Sequence, residues 1–291
     1  MAKTTVAIIA MGEMGAGVGR ARVENGARVI TSLQGRSQAS AARAAQAGVE
    51  VMPDDGALVA QAEFVFSIVP PARAGELADR LLPHLSQSAG KAVFVECNAV
   101  APATVKQIAV PLQAAGLPFV DAGIIGPPPA PGRPAPRFYA SGGAVSRFEE
   151  LRKFGVDVRP LSGEVGDASA LKMAYGGINK GLQALGAALI LGAVRSGVAP
   201  ALYREMQDSQ PAVLQLLTRA LPQMYAKAYR WIGEMEEIAK FLQPETGGSE
   251  MLLGAAHLYE DIARDYAAGT DHARIALLKE FLERSSVVRQ K

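Results

Sequence analysis

Residues 4–19 read TTVAIIAMGEMGAGVG, an apolar and β-branched run followed by four glycines. The run is short enough for one buried parallel strand, and the glycines predict a tight turn before a helix that we place at residues 16–25. In such a strand, turn and helix, backbone amides and the positive end of the helix dipole can approach a pyrophosphate. Glycine is needed there wherever a Cβ would keep the phosphate out.

The same turn is close to the dinucleotide fingerprint G-x-G-x-x-G. Gly12 and Gly15 stand at the second and third glycine positions, and Ala10 replaces the first. A glycine-rich βα turn in some other α/β protein is the alternative, because short motifs often mislead. We predict that Gly12, Glu13, Met14 and Gly15 contact a dinucleotide.

Composition limits the classes of protein to consider. The 291 residues are 49% hydrophobic and 20% charged, which is enough for two domains with substantial cores. A net charge of +2 without basic clusters argues against nucleic acid, so the expected partners are small molecules and further copies of the chain. The chain has no uninterrupted apolar run of about twenty residues, so we predict no membrane-spanning segment. The single cysteine, Cys97, excludes an internal disulfide and a cysteine-built metal site; no metal is predicted, and the cytoplasm is the expected location.

The first half of the chain alternates strand and helix patterns. Strands are predicted at 27–32, 49–52, 64–69, 92–96 and 118–121, and helices at 37–47, 55–62, 73–85 and 102–115. This alternation predicts a parallel sheet with helices on both faces. Residues 126–136 contain six prolines and predict a rigid loop without regular structure. Two further strands, at 137–141 and 156–160, flank a helix at 144–154.

After Gly166 the patterns are helical throughout, at 168–198, 202–209, 210–226, 229–242, 249–269 and 272–287. The fold class is therefore an α/β Rossmann-type dinucleotide-binding domain over residues 1–163, followed by an all-helical domain over 164–291 for substrate binding and dimerisation. The first of these helices is apolar on nearly all sides, with small residues at spacings of three and four. One small domain cannot bury all of it, so we predict a homodimer through the helical domains.

The choice of dinucleotide is predicted from residues 31–37, TSLQGRS, at the end of the second strand. NAD enzymes usually place a carboxylate there on the ribose 2′-hydroxyl. This segment has no carboxylate, and it has an arginine flanked by hydroxyl groups. We predict NADP(H), with Ser32, Arg36 and Ser37 as its contacts; the alternative is that Arg36 is a solvated loop charge.

Lys172 is the candidate for proton transfer. It stands among apolar residues in the first turns of a helix, where the dipole disfavours a cation. Desolvation and the dipole would lower the pKa of such a lysine toward the range useful for proton transfer. The alternative is an ordinary surface lysine, which most lysines are.

The chain resembles the β-hydroxyacid dehydrogenase superfamily, which includes 3-hydroxyisobutyrate dehydrogenase, 6-phosphogluconate dehydrogenase and the imine reductases. Five motifs in order carry the resemblance: GEMG at 12–15, SIVPP at 67–71, CNAVAP at 97–102, DAGIIGP at 121–127 and GDASALK at 166–172. The resemblance implies that Lys172 is the general acid and base. It also implies cofactor contacts at Val69, Pro70 and Asn98, and a substrate loop that includes Gly123, Ile124, Ile125 and Gly126.

Two departures from the family pattern concern the substrate. Ile125 stands where the hydroxyacid dehydrogenases carry a carboxylate-binding serine, and Gly176 replaces the asparagine four residues after the lysine. Tyr175, three residues on from Lys172, could compensate for the missing side chain. Asn179 lies on the same helix face as Lys172 but about 10 Å along the axis, so it cannot simply replace the family asparagine. We predict Tyr175 as a second catalytic residue and Asn179 as a substrate contact.

Three functions follow from these residues. The first is NADP(H)-dependent transfer of a hydride to or from a small carbonyl or hydroxyacid substrate, which Lys172 favours. The second is NADPH-dependent reduction of a C=N bond. The apolar segment around Ile125 resembles that of imine reductases, although those enzymes commonly carry Asp or Tyr where this chain has Lys172. The third is a non-catalytic NADPH-binding protein, which the two lost polar groups would allow.

Overall fold

The computed structural model describes residues 4–88, 92–269 and 273–288, the last five of these by their backbone alone. The chain forms two compact units, Met1–Met173 and Ala174–Lys291. The division falls inside a long helix, whereas the sequence analysis places the domain boundary before that helix, between residues 163 and 164.

The first unit contains one eight-stranded sheet. Its strands are β1 (Thr5–Ile9), β2 (Arg28–Ser32), β3 (Glu50–Met52), β4 (Phe64–Ser67), β5 (Val93–Glu96), β6 (Phe119–Ile125), β7 (Arg137–Ser141) and β8 (Asp157–Pro160). They lie in the order β3-β2-β1-β4-β5-β6-β7-β8. Neighbouring strands are parallel except for the antiparallel pair β6 and β7. The first six strands therefore form the predicted Rossmann-type sheet, and β7 reverses because residues 126–136 return the chain without a crossover helix.

Six helices accompany this sheet: α1 (Glu13–Glu24), α2 (Gln38–Gln46), α3 (Asp55–Gln61), α4 (Ala74–Gln87), α5 (Pro102–Ala114) and α6 (Val145–Glu149). Apolar side chains alternate between the two faces of the sheet, as the pleat of a strand requires. One face buries residues such as Val6, Ile8, Phe66 and Phe138. The other face buries residues such as Ala7, Ile9, Val65 and Phe94. The strands are thus covered on both sides, as the apolar runs predict.

The start of α1 corrects one prediction. The helix begins at Glu13, directly after Gly12, rather than at residue 16. Glycines were interpreted as turn residues, but Gly15 lies inside the helix. A Cβ on Gly15 would be 1.9 Å from the carbonyl oxygen of Ala10, so glycine here permits close packing of the helix on the preceding strand.

The ends of other predicted elements also shift. Strand β6 continues to Ile125, beyond the predicted end at residue 121. The helix predicted at 144–154 is the short α6 followed by a 3-10 turn over Glu150–Phe154. Each of these differences lies at an element end, where local pattern is weakest and packing decides.

Helix α7 (Asp167–Arg195) begins in the first unit and continues into the second. The second unit also contains α8 (Ala199–Ser209), α9 (Pro211–Met224), α10 (Ala228–Phe241), α11 (Thr246–Ala268) and α12 (Ala273–Val288). Within its described residues, this unit has no strand, as predicted. One side of α7 is buried there through Ala184, Ala187, Ile190 and Leu191.

By length and composition, α7 could cross a membrane. The sequence predicts no such segment, because no uninterrupted apolar run is long enough. Core helices of globular domains pass the same test. Within the second unit the Nζ of Lys180, on α7, forms a 2.5 Å ion pair with Glu234 of α10, which is an internal contact of a helical bundle.

Candidate active site

The carboxyl ends of β1, β4 and β5 lie side by side in the sheet. The motif segments at 12–15, 67–71 and 97–102 follow these three strands directly, so they meet at one edge. The strand order also reverses between β1 and β4, since β2 lies on one side of β1 and β4 on the other. Open α/β sheets bind ligands in the crevice at such a reversal.

Gly12 leaves space at this edge. It is the N-cap of α1, with an ordinary extended backbone (φ −73°), so its conformation does not require glycine. A Cβ built on Gly12 would have no protein atom within 4 Å. The open space and the amides of a helix N-terminus together suit a pyrophosphate. Glu13 and Met14 open the helix at the same place.

The residues predicted to select the dinucleotide lie after β2. Ser32 is buried, and its Oγ accepts a 3.5 Å hydrogen bond from the Gln34 amide. Ser37 is the N-cap of α2, and its Oγ accepts a bond of 3.3 Å from the Ser40 amide. Their hydroxyl groups therefore already have structural roles. Arg36 is half-buried, and among the described residues it forms no ion pair.

Two arginines that sequence reasoning missed lie beside Arg36. A cavity of about 170 Å³, the basic pocket, is lined by Arg36, Arg73 and Arg80 together with Gln34, Gly35, Val69, Glu76 and Leu77. Arg73 pairs with Glu76 at 2.6 Å, and Arg80 pairs with Asp55 at 3.3 Å. Burial and the charges of Arg80 and Arg73 lower the pKa of Arg36. Three cations facing two carboxylates leave the pocket with an excess positive charge, which favours an anion.

Asn98 joins the segments that follow β4 and β5. Its Oδ1 accepts a hydrogen bond of 2.6 Å from the Val69 amide, and its Nδ2 donates one of 2.7 Å to Ser67 Oγ. The backbone amide of Asn98 donates to Glu96 Oε1 at 2.8 Å. The side chain is buried, so its main role in this structure is to fix the loop that contains Val69 and the exposed Pro70.

Lys172 lies over this same region. Its side chain is partly buried, and Nζ donates a hydrogen bond of 3.1 Å to the carbonyl oxygen of Cys97. Strand β6 approaches α7 closely here: a Cβ on Gly123 would be 2.8 Å from the Ala168 carbonyl oxygen and 3.2 Å from Lys172 Cβ. Glycine at position 123 therefore permits the placement of Lys172.

Asp121 anchors the start of α7 to β6. Its Oδ2 accepts hydrogen bonds from the amides of Gly166 (2.9 Å) and Ser169 (3.0 Å), and Oδ1 accepts one from Ser169 Oγ (2.7 Å). Ser141 Oγ donates a longer bond of 3.3 Å to Oδ2. Burial raises the pKa of Asp121, and these bonds oppose the rise. Asp121 lies within a quoted motif, but this role is not visible in the sequence, because its partners on α7 are more than forty residues away.

Glu96, at the end of β5, is another residue that the sequence analysis missed. Its side chain is 1% exposed. Burial raises the pKa of Glu96 to about 7, against hydrogen bonds with Asn98 and Ser67 and the positive charge of Lys172, which lower it. Within the described part of the chain, Oε2 has no hydrogen-bond partner. The only sequence signal was an acidic residue that ends an otherwise apolar strand.

The first three residues of the predicted substrate loop belong to a strand. Gly123, Ile124 and Ile125 belong to β6 and pair with β7. Ile124 packs into the hydrophobic core, so its side chain does not face a ligand; Ile125 is half-buried, and Gly126 is exposed. The segment at 126–136 has no helix or strand, as predicted, and Arg20 Nη2 holds it by donating to the Pro129 carbonyl at 3.0 Å.

Tyr175 and Asn179 belong to the second unit, whereas Lys172 belongs to the first. The Tyr175 side chain is 52% exposed. Asn179 Nδ2 donates to the Tyr175 carbonyl at 2.9 Å, within the helix itself. The roles of Tyr175 as a catalytic residue and of Asn179 as a substrate contact stay predictions.

Residues 5–153 match the family described as the NAD binding domain of 6-phosphogluconate dehydrogenase, and residues 193–262 match a domain of unknown function, DUF1932. A conserved hypothetical protein from Sinorhizobium meliloti 1021 is 25% identical, with a TM-score of 0.70 over 96% of this chain and 97% of that one. The 3-hydroxyisobutyrate dehydrogenase of Mycobacterium tuberculosis, solved with L-serine, is 18% identical, with a TM-score of 0.68 over 96% and 99%. An imine reductase from Myxococcus stipitatus in complex with NADP+ is 20% identical, with a TM-score of 0.54 over 96% and 99%. At these identities the two enzymes share the fold with this chain.

The two glycines of the turn should respond differently to alanine. Gly12→Ala fills open space, so we expect a dissociation constant for NADPH raised roughly tenfold or more, a loss of about 1.4 kcal/mol, with a nearly unchanged Tm. Gly15→Ala drives a methyl group into the Ala10 carbonyl, so we expect a clear fall in Tm. Calorimetric titration and thermal unfolding measure the two effects. If Gly12→Ala binds NADPH as tightly as the wild type does, the assignment of the pyrophosphate to this turn is wrong.

Proposed function

The chain belongs to the family of the NAD binding domain of 6-phosphogluconate dehydrogenase, within the β-hydroxyacid dehydrogenase-like superfamily of oxidoreductases, and we propose that it transfers a hydride between NADP(H) and a small carbonyl or hydroxyacid substrate. Lys172 is the general acid and base in this proposal. The observation that carries it is the bond from Lys172 Nζ to the Cys97 carbonyl, at the sheet edge where the dinucleotide motifs meet.

Different residues of the chain bind the cofactor, position the loops and transfer the proton. A bound nicotinamide dinucleotide supplies or accepts the hydride. Gly12 and the N-terminus of α1 hold the pyrophosphate, and Asn98 keeps the loops after β4 and β5 in place. Lys172 gives a proton from Nζ to the substrate oxygen during reduction and takes it back during oxidation.

The Cys97 carbonyl prepares Lys172 for this task. A lysine ammonium has three protons, and the Cys97 carbonyl accepts one of them, which directs the ammonium toward this turn. The flexible four-carbon stem begins close to β6, where a Cβ on residue 123 would be 3.2 Å from Lys172 Cβ. A proton donor with a fixed direction avoids part of the entropic cost of the transition state.

The basic pocket supports NADP(H) over NAD(H). It follows β2, where a dinucleotide places the ribose of its adenosine half. Arginine guanidinium groups match the oxygens of a phosphate and can bind them in pairs. Arg36, which forms no ion pair within the described residues, is the primary ligand that we assign to the 2′-phosphate, with Arg73 and Arg80 beside it.

Reduction of a C=N bond is a second candidate, favoured by Ile125. This half-buried aliphatic side chain stands where the hydroxyacid dehydrogenases have a carboxylate-binding serine. A substrate without a carboxylate would not need that serine. A panel of keto acids and cyclic imines, assayed by the oxidation of NADPH, separates the two reactions; binding of NADPH with no turnover on any of them would indicate a non-catalytic protein.

A homodimer through α7 is part of the proposal. On the second unit, Ile178, Leu182, Leu185 and Leu189 are 66%, 47%, 51% and 63% exposed. Their spacings of four, three and four place them in one stripe along the helix. Ala188 and Gly192 beside the stripe are small and exposed, which permits close helix approach, whereas Gly186 packs against Leu217 of α9. A second copy would bring an identical stripe, as a two-fold axis requires.

Lys172→Ala tests the proton donor. We expect turnover to fall about 10²- to 10⁴-fold with NADPH affinity nearly unchanged, because the pyrophosphate turn and the basic pocket do not involve this side chain. The Tm should stay the same or rise, since a catalytic lysine set against the helix dipole is not there for stability. Full turnover by the variant would exclude Lys172 as the acid. A smaller loss than that of Tyr175→Phe would favour C=N reduction.

Arg36→Gln and Arg80→Gln test the cofactor. Each removes a charge-assisted contact with the 2′-phosphate, so we expect the dissociation constant of NADPH to rise roughly 10- to 100-fold and that of NADH to stay unchanged. Arg28→Gln is the matched control, because Arg28 lies at the opposite end of β2 and pairs with Glu50. Calorimetric titration gives the constants. A wild-type preference for NADH, or equal losses for both cofactors, would overturn the assignment.

Leu185→Glu tests the dimer. A charge in the centre of the stripe should convert the dimer into a folded monomer at micromolar concentration, as measured by light scattering. Val110→Glu is the control, because Val110 is 64% exposed on α5 and does not belong to the stripe. A wild-type protein that is already a monomer, or that stays in solution only with detergent, would contradict the proposal.

A further inference from the structure

Glu96 is a buried acidic residue that the proposed mechanism does not use. We propose that it is a positioning residue: its carboxylate keeps Lys172 in the ammonium form, and its bond to Asn98 fixes the carbonyl group to which Nζ donates. This inference rests on the proposed role of Lys172, and it adds an electrostatic partner for that residue.

Both groups act on the same short turn. Glu96 Oε1 accepts a hydrogen bond of 2.8 Å from the Asn98 amide, which closes the turn over Cys97. The carbonyl of Cys97, in the middle of that turn, accepts the 3.1 Å bond from Lys172 Nζ. Moving the Glu96 side chain would therefore move the acceptor of the ammonium.

The charges of Glu96 and Lys172 act on each other. Burial raises the pKa of Glu96 to about 7, and the positive charge of Lys172 lowers it. The pKa of the Cys97 thiol responds to the same charges: burial, Glu96 and Asp121 raise it, and Lys172 lowers it. Asp121 is occupied by its hydrogen bonds to the start of α7 and to Ser141. We therefore assign to Glu96 the electrostatic interaction with Lys172.

The second carboxylate oxygen argues that the charge itself matters. In the part of the chain that the structure describes, Glu96 Oε2 is buried and accepts no hydrogen bond. A buried oxygen without a partner is costly, and closing the turn requires only Oε1. The closing bond alone therefore does not account for Oε2, whereas the attraction between the carboxylate and the Lys172 ammonium, which lowers the pKa of Glu96, offsets part of that cost.

The carboxylate would act through Lys172 and transfer no proton itself. During reduction an N–H bond at Nζ breaks and an O–H bond forms on the substrate, which leaves a neutral amine. The nearby negative charge then favours return of a proton from solvent to Nζ. Glu96 thereby keeps the donor charged at a pH where an isolated buried lysine would lose its proton.

The test is the pH dependence of kcat for reduction between pH 5 and 10, with NADPH and the best substrate of the panel. For Glu96→Gln we expect the high-pH midpoint to fall by about one pH unit or more, with NADPH affinity kept, because the ammonium loses its partner while the bond to the Asn98 amide remains. For Glu96→Asp, which keeps the charge, we expect a midpoint close to that of the wild type.

Thermal unfolding gives a second readout that does not depend on activity. The folded-state pKa of Glu96 lies above its ordinary value of 4.5, so the wild type loses stability as the pH rises toward and through about 7. Glu96→Gln removes this loss. Its Tm relative to the wild type should therefore be higher at pH 8 than at pH 5, whereas Glu24→Gln, a change on an exposed side chain, should show no such trend.

The outcomes separate this inference from the proposed function. Full turnover by Lys172→Ala overturns the role of Lys172 and the inference with it. If Lys172→Ala is inactive while Glu96→Gln keeps the wild-type kcat midpoint, the inference alone is wrong. It is also wrong if Glu96→Asp shifts the midpoint as far as Glu96→Gln does. Should Glu96→Gln fail to fold, the Asp variant still decides, because a lowered midpoint with its charge intact contradicts the proposal.

Discussion

The hydrogen bonds between the Asp121 carboxylate and the start of α7 are the interaction on which the candidate site depends. The first amides of a helix have no partner within the helix, and a negative charge near them is attracted to the positive end of the helix dipole. Asp121 satisfies the amides of Gly166 and Ser169 from the neighbouring sheet. It thereby fixes where α7 begins and, three residues after Ser169, where Lys172 lies.

One strand supplies both parts of this arrangement. Side chains alternate along a strand, so Asp121 and position 123 face the same side of β6. At the first position a carboxylate binds the helix, and at the second a glycine lets the helix approach. The antiparallel pairing with β7 continues through this stretch, and Ser141 of β7 donates a bond to Asp121 and accepts one from the Ala168 amide. The position of the lysine thus follows from sheet geometry.

The spacing of apolar residues along the sequence predicted the order and type of the elements well, because burial against a sheet requires apolar side chains at regular positions. It failed at the start of α1, where Gly15 looked like a turn residue and is instead a packing residue against Ala10. It could not pair Arg36 with Arg73 and Arg80, since these side chains come from separate βα units and meet only when the sheet forms. Glu96 and Asp121 were hidden for the same reason. Each looks like an isolated acid in an apolar strand until its distant partner is known.

The single cysteine stands at the centre of the candidate site, between Glu96 and Asn98. Its thiol is buried, and burial together with the neighbouring carboxyls raises its pKa well above the ordinary range. Thiolates rather than thiols react with oxidants and alkylating agents. The folded protein should therefore resist both, although a sulfur atom lies next to the carbonyl that orients Lys172. A thiol-reactive dye would label the chain only after it opens, which makes Cys97 a built-in reporter of unfolding at this site.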